Sequence, residues 1–153
     1  MLQCERLMEK VEKTGVLTEL KPGEKASAGK VLYIEDNTPN VELVEQILRT
    51  LHPGIKLITS AYGSEAVALA IANHPDLILL DLNLPDLHGS EVLSRLQREE
   101  RTSTIPVVVI SADAMPKTVD LLLKNGARKF LTKPLNIMEL LKVMEEFVIN
   151  KQP

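Results

Sequence analysis

LILLDLNLPDLHG, residues 77–89, decides how the chain folds. Four aliphatic residues in succession, Leu77 to Leu80, are too few for a helix, and they stop at a carboxylate, Asp81, with Pro85 and Gly89 soon after. That is the pattern of a strand buried on both faces and released into a loop. A strand without alternation needs cover above and below, which a parallel sheet flanked by helices supplies.

Four more runs have the same texture: Val31 to Ile34, Ile55 to Thr59, Ile105 to Ile110 and Arg128 to Leu131. Only the run from Ile55 alternates clearly, as an edge strand does. Between the runs lie segments with helical spacing. Pro39 to Leu51 places Val41, Val44, Leu48 and Leu51 on one face; Ser64 to Asn73, Ser90 to Glu99 and Lys117 to Asn125 follow. Ile137 to Val148 repeats Ile137, Leu140, Leu141, Met144 and Val148. Thr38 before Pro39 is expected to cap the first helix through its hydroxyl, and Asn125-Gly126 to stop the fourth in a left-handed turn. Strand and helix in alternation require right-handed crossovers, so the fold class is α/β, a five-stranded parallel sheet, doubly wound. Ligands of such sheets bind beyond the carboxyl ends of the strands.

The residues at those ends carry chemistry. Glu35 and Asp36 follow the first run, Asp81 the third, Ser111 the fourth, and Thr132 and Lys133 the fifth. Three carboxylates gathered in one crevice repel one another unless a cation lies among them. Mg²⁺ suits them, with Mn²⁺ as a substitute, because it prefers hard oxygen ligands and joins one or two carboxylates to a phosphate. Asp81 is then a nucleophile that forms an acyl phosphate, and Lys133 supplies the second positive charge that phosphoryl transfer needs. Ser111 is expected to donate to a phosphoryl oxygen, with Ala112 leaving room for entry. Singly, each has an ordinary role as a cap, a solvated turn residue or a surface lysine; the argument rests on four strands agreeing.

Composition narrows the setting. With 44% apolar and 25% charged residues the 153-residue chain is that of an ordinary globular domain. Eighteen basic against 21 acidic residues give a formal charge of -3, which offers no general attraction to nucleic acid or anionic lipid. The lone Cys4 forms no internal disulfide, no apolar run spans a bilayer, and the opening residues lack a signal-peptide core. A cytoplasmic protein without membrane insertion is expected. Residues 1–29 differ from the rest: Cys4, Leu7, Met8 and Val11 suit a short amphipathic helix, and KPGEKASAGK a solvated linker. The expected division is a leader at 1–29, a domain at 30–150 and a tail at 151–153.

In this order the residues resemble the receiver domains of two-component response regulators from about Lys30 to Ile149. The motifs that carry the resemblance are VLYIEDN, LILLDLNLPDLHG, VVVISADA and KFLTKPL, with thirty residues from Asp81 to Ser111 and twenty-two from Ser111 to Lys133. The resemblance implies a flavodoxin-like, CheY-like strand order of 2-1-3-4-5. It further implies Asp81 as phosphoacceptor, Glu35, Asp36 and Asp81 as metal ligands with the backbone carbonyl of Asn83, and a cis peptide before Pro134. Ser111 and Phe130 take the positions of a switch pair, although Phe130 lacks the hydroxyl of the tyrosine found in many relatives. Glu35 stands where many receivers have aspartate, a variation met in receivers attached to kinases. The implied donor is a histidine kinase or phosphotransfer protein, and the implied readout or homodimer face is the fourth helix, fifth strand and fifth helix. Either a single-domain regulator or a receiver from a hybrid kinase fits the chain.

Two other functions compete. An aspartate-nucleophile phosphatase or phosphotransferase acting on small molecules would want a carboxylic acid two residues after Asp81, and Asn83 is an amide. A flavin or nucleotide module is allowed by fold analogy alone, but no GxGxxG or Walker pattern occurs. His52, His74 and His88 fall near helix or turn ends and suit solvated polar roles; Met8, Met138 and Met144 suit apolar packing.

Overall fold

The computed structural model describes residues 29–151. Five parallel strands, β1 (Gly29–Ile34), β2 (Ile55–Ser60), β3 (Leu77–Asp81), β4 (Val107–Ser111) and β5 (Lys129–Thr132), lie in the order β2-β1-β3-β4-β5. The helices are α1 (Thr38–Leu51), α2 (Ala66–Asn73), α3 (Gly89–Arg98), α4 (Pro116–Lys124) and α5 (Ile137–Met144). The fold is the expected doubly wound α/β, flavodoxin-like arrangement. The leader helix and linker lie outside the described residues.

Burial on both sides is what the aliphatic runs require. Every residue of β3 and β4 is buried, whereas β2, at one edge, mixes exposed and buried positions. On one face Val31, Tyr33, Leu77, Leu79, Val108 and Ile110 pack against α1 and α5. On the other, Leu32, Ile34, Ile78, Leu80, Val107 and Val109 pack against α2, α3 and α4. Met144 is buried in the first layer, with Met138 partly buried beside it. Register places Ile34 beside Leu80, Asp81 beside Ile110 and Ser111 beside Thr132, which brings the strand ends to one rim.

Several boundaries differ from the sequence expectation. The cap of α1 is Asn37, not Thr38: the Asn37 side chain accepts from Asn40 N at 3.0 Å, and Thr38 is the first helical residue. Asn37 has the extended backbone that a cap needs, φ -82° and ψ 109°. Strand β4 begins at Val107 and not at Ile105, after Pro106, which has no N–H for the ladder. The segment expected as a helix from Ser64 starts with a 3₁₀ turn, Gly63–Glu65, and the last helix ends in a π-helical turn, Glu145–Ile149. The expected stop after α4 is present, with Gly126 at φ 111°.

All three histidines end helices: His52 closes α1, His74 closes α2 in left-handed backbone, and His88 caps α3. Nδ1 of His88 accepts from Ser90 N at 3.2 Å and lies 2.7 Å from Ser90 Oγ. At the rim opposite the strand ends, Asp76 joins the first and last described segments. Its carboxylate accepts from Lys30 N and from Lys151 Nζ, each at 2.9 Å, while Asp76 N donates to Lys30 O at 2.8 Å.

Candidate functional site

At the carboxyl ends of β1 and β3, carboxylate oxygens of Glu35, Asp36 and Asp81 lie within 4.8 Å of one another. Glu35 and Asp81 are 2% exposed, so their charges are largely removed from water, while Asp36 opens to solvent. From the end of β5 the Lys133 ammonium turns into the same crevice. It donates to Glu35 Oε1 at 3.0 Å and Oε2 at 3.2 Å, and lies 3.3 Å from Asp81 Oδ2. The Lys133-Pro134 peptide is cis.

Three carboxylates against one ammonium leave a formal charge of −2 at this rim. The effect is visible on Glu35. Burial lifts its carboxyl above the usual glutamate range, Asn40 and Lys133 draw it back, and the neighbouring Asp81 pushes it further up. Tyr33, two residues earlier on β1, is likewise held above the ordinary phenol range, first by burial and then by the charges of Glu35 and Asp81. A divalent cation among three hard oxygen donors balances that excess charge, so the donor set fits Mg²⁺ or Mn²⁺.

Asn40 was not evident as a site residue in the sequence. From the first turn of α1 its Nδ2 donates to Glu35 Oε1 at 2.7 Å, fixing the longer glutamate arm. The signal was available in NTPN, since an asparagine in the turn after a strand-end carboxylate is within reach of it.

Asn83 lies in the loop after β3, where its N–H donates to Asp81 Oδ1 at 3.3 Å and its backbone pairs with His88. Asp36, Asn83, Pro85, Asp86 and His88 border an open cleft of about 310 Å³ beside the acidic group. Gly89 closes the loop: its N–H donates to Leu82 O at 2.7 Å, and a Cβ there would stand 2.5 Å from the Asp81 carbonyl oxygen. Only a residue without a side chain fits under Asp81.

Ser111 is fully buried at the end of β4. Its Oγ accepts from Asp113 N at 3.2 Å, which leaves the hydroxyl proton free for another acceptor, and its carbonyl accepts from Lys133 N at 3.0 Å. Ala112 is exposed beside it. Phe130, on β5, is partly buried against the α2–α4 layer. Among the described residues no buried side-chain nitrogen or oxygen lacks a hydrogen-bond partner. No helix among them is long and apolar enough to cross a membrane.

Comparison with known proteins bears on the fold and the family. Residues 31–145 match the response regulator receiver domain family. The polar-differentiation response regulator DivK of Brucella ovis is 30% identical over 118 residues, covering 77% of this chain and 94% of DivK. The receiver domain of the sensor histidine kinase PA1611 from Pseudomonas aeruginosa, solved with magnesium coordinated in its active site cleft, superposes with a TM-score of 0.70. It is 28% identical, covering 79% of this chain and 98% of that domain. The chemotaxis protein CheY4 of Vibrio cholerae gives a TM-score of 0.71 at 26% identity, over 79% of this chain and 99% of its own. With the fold, the strand-end residues and the family match in agreement, the chain belongs to the response regulator receiver domains of two-component signalling.

Proposed function

We propose that Asp81 accepts a phosphoryl group from a phosphohistidine on a histidine kinase or phosphotransfer protein, in the cytoplasm, and that the modified domain regulates an output partner. The observation that carries this reading is the buried Asp81 carboxylate, grouped with Glu35 and Asp36 within 4.8 Å and facing the Lys133 ammonium at 3.3 Å. A carboxylate oxygen of Asp81 attacks phosphorus, the phosphorus–nitrogen bond breaks, and the released imidazole takes a proton from water. The product is an acyl phosphate. Glu35, Asp36, Asp81 and the Asn83 carbonyl would hold a divalent ion, which would supply neutralising charge for the phosphoryl oxygens.

The chain's own residues do the rest. Lys133, already among the carboxylates, pairs with a phosphoryl oxygen once one is present, and the Ser111 hydroxyl donates its free proton to another. Ala112 keeps the approach open. The domain acts on its own side chain and is a signalling element with self-limited phosphoryl chemistry. Repositioning of Ser111 and Phe130 carries the change to the face formed by α4, β5 and α5; Leu121 and Leu123 are exposed on α4, and Met115 is exposed just before it. Contact with the output partner or with a second copy belongs on that face.

Incubation with acetyl phosphate and Mg²⁺ tests the assignment. The parent is expected to gain one acid-stable, base-labile phosphoryl group per chain, and Asp81→Asn none. Equal labelling of Asp81→Asn, or an unlabelled parent, would remove Asp81 from this role.

A further inference from the structure

The loop from Leu82 to His88 gives the acidic group no side chain, yet it carries Asn83, the backbone ligand of the function proposed above. Its lateral support comes from Asp86. One oxygen of that carboxylate accepts from Gly63 N at 2.9 Å and the other from Ser64 N at 2.9 Å. Both donors belong to the 3₁₀ turn before α2, more than twenty residues away in sequence. Side-chain and backbone donors of Ser64, together with the Gly63 and Leu87 backbone, hold the Asp86 carboxyl well below the ordinary range despite its exposure. Beneath this fork Leu84 and Leu87 pack closely on Gly63, so the turn and the loop meet as one body.

The turn is tied in turn to the other side of the crevice. Glu35 N donates to Ser60 O at 2.9 Å at the end of β2. Ser60 Oγ accepts from Tyr62 N at 3.1 Å and donates to Glu65 Oε2 at 2.6 Å, which fixes the turn between them. A continuous series of bonds therefore runs from Glu35 through Ser60 and the 3₁₀ turn to Asp86, and by three residues of loop to Asn83.

We propose that Asp86 is a positioning residue for the divalent ion, holding the Asn83 carbonyl at a set distance from Glu35. The inference rests on the metal reading above and deepens it. A small ion that demands near-octahedral oxygen geometry is sensitive to a ligand that wanders, and supporting groups behind metal ligands typically govern affinity by about tenfold or more. The competing role for Asp86 is a plain cap for the turn before α2. A cap would stabilise the fold but leave the metal affinity of the folded protein unchanged.

Isothermal titration of Mg²⁺ into the parent, Asp86→Asn and Asp86→Ala, well below their melting temperatures, separates the two roles. About tenfold weaker binding is expected for Asp86→Ala, with Asp86→Asn between it and the parent because the amide keeps one acceptor oxygen. At saturating Mg²⁺ the rate of labelling by acetyl phosphate is expected to return to within about threefold of the parent. Affinities within about twofold of the parent in both variants would overturn the inference while the metal site stands; should Asp86→Ala not fold, Asp86→Asn decides alone. A parent that binds no Mg²⁺ would overturn the function proposed above and this inference with it.

Discussion

Gly89→Ala tests how tightly Asp81 is seated. The new methyl would stand 2.5 Å from the Asp81 carbonyl oxygen, 2.6 Å from Leu82 Cα and 3.0 Å from Leu82 Cδ2. Ordinary contact begins at about 3.4 Å, so the backbone at Asp81 and Leu82 must retreat by roughly 0.8 Å, and backbone does not rotate aside as a long side chain does. Overpacking of that kind costs about 3 kcal/mol at the upper end of the usual range. Replacing glycine in a helix returns at most about 1 kcal/mol, and less at this first position of α3. A net loss of about 2 kcal/mol lowers the melting temperature by roughly 6–12 °C for a domain of this size. The displacement also exceeds the ~0.5 Å tolerance of a positioned reactive group, so labelling of Asp81 by acetyl phosphate should fall by at least about tenfold. Leu122→Ala is the control: Leu122, the buried leucine of α4, is worth a similar or larger stability loss of about 2–4 kcal/mol with the acceptor undisturbed. Thermal unfolding by circular dichroism and a labelling time course at 15 °C supply the two readings. A Gly89→Ala protein that melts within about 2 °C of the parent, or that labels as fast as Leu122→Ala, would refute the reasoning.

Two further outcomes follow from particular bonds. Asn37→Ala should cost about 1 kcal/mol in urea denaturation and Thr38→Ala less than half as much, since only the Asn37 side chain takes an N–H of α1; the reverse order would return the cap to Thr38. In chelator, Glu35 contributes to pH dependence with a definite sign. Its folded carboxyl lies above its unfolded value, so the folded state holds more proton in that interval and stability is lost as pH rises through it. Glu35→Gln removes this effect, and the parent's melting temperature should fall relative to the variant's as pH rises above the ordinary glutamate range. A difference between the two that stays constant with pH would contradict the assignment.

Local pattern carried the strands into view because burial on both faces leaves no choice of residue at Leu77–Leu80 or Val107–Ile110. The crevice was legible for a related reason: in a parallel sheet the residue after each apolar run must emerge at the same rim, which gathers Glu35, Asp81, Ser111 and Lys133. What escaped depends on partners distant in sequence or on fine backbone angles. Asp86 reads as an ordinary turn residue until Gly63 and Ser64 are found against it. Asn37 and Thr38 are both good caps by type, and the backbone angles alone choose between them. Pro106 was absorbed into an apolar run although its missing N–H ends the ladder.

The shared carboxylate of Asp76 has an architectural consequence. Because Lys30 and Lys151 both bond to it, the polypeptide enters and leaves the fold side by side, about 16 Å along β3 from Asp81. A protein can therefore accept this unit as an insert between two others without stretching either junction. Neighbours joined there would hang from the far side of the sheet, leaving the acidic crevice unobstructed.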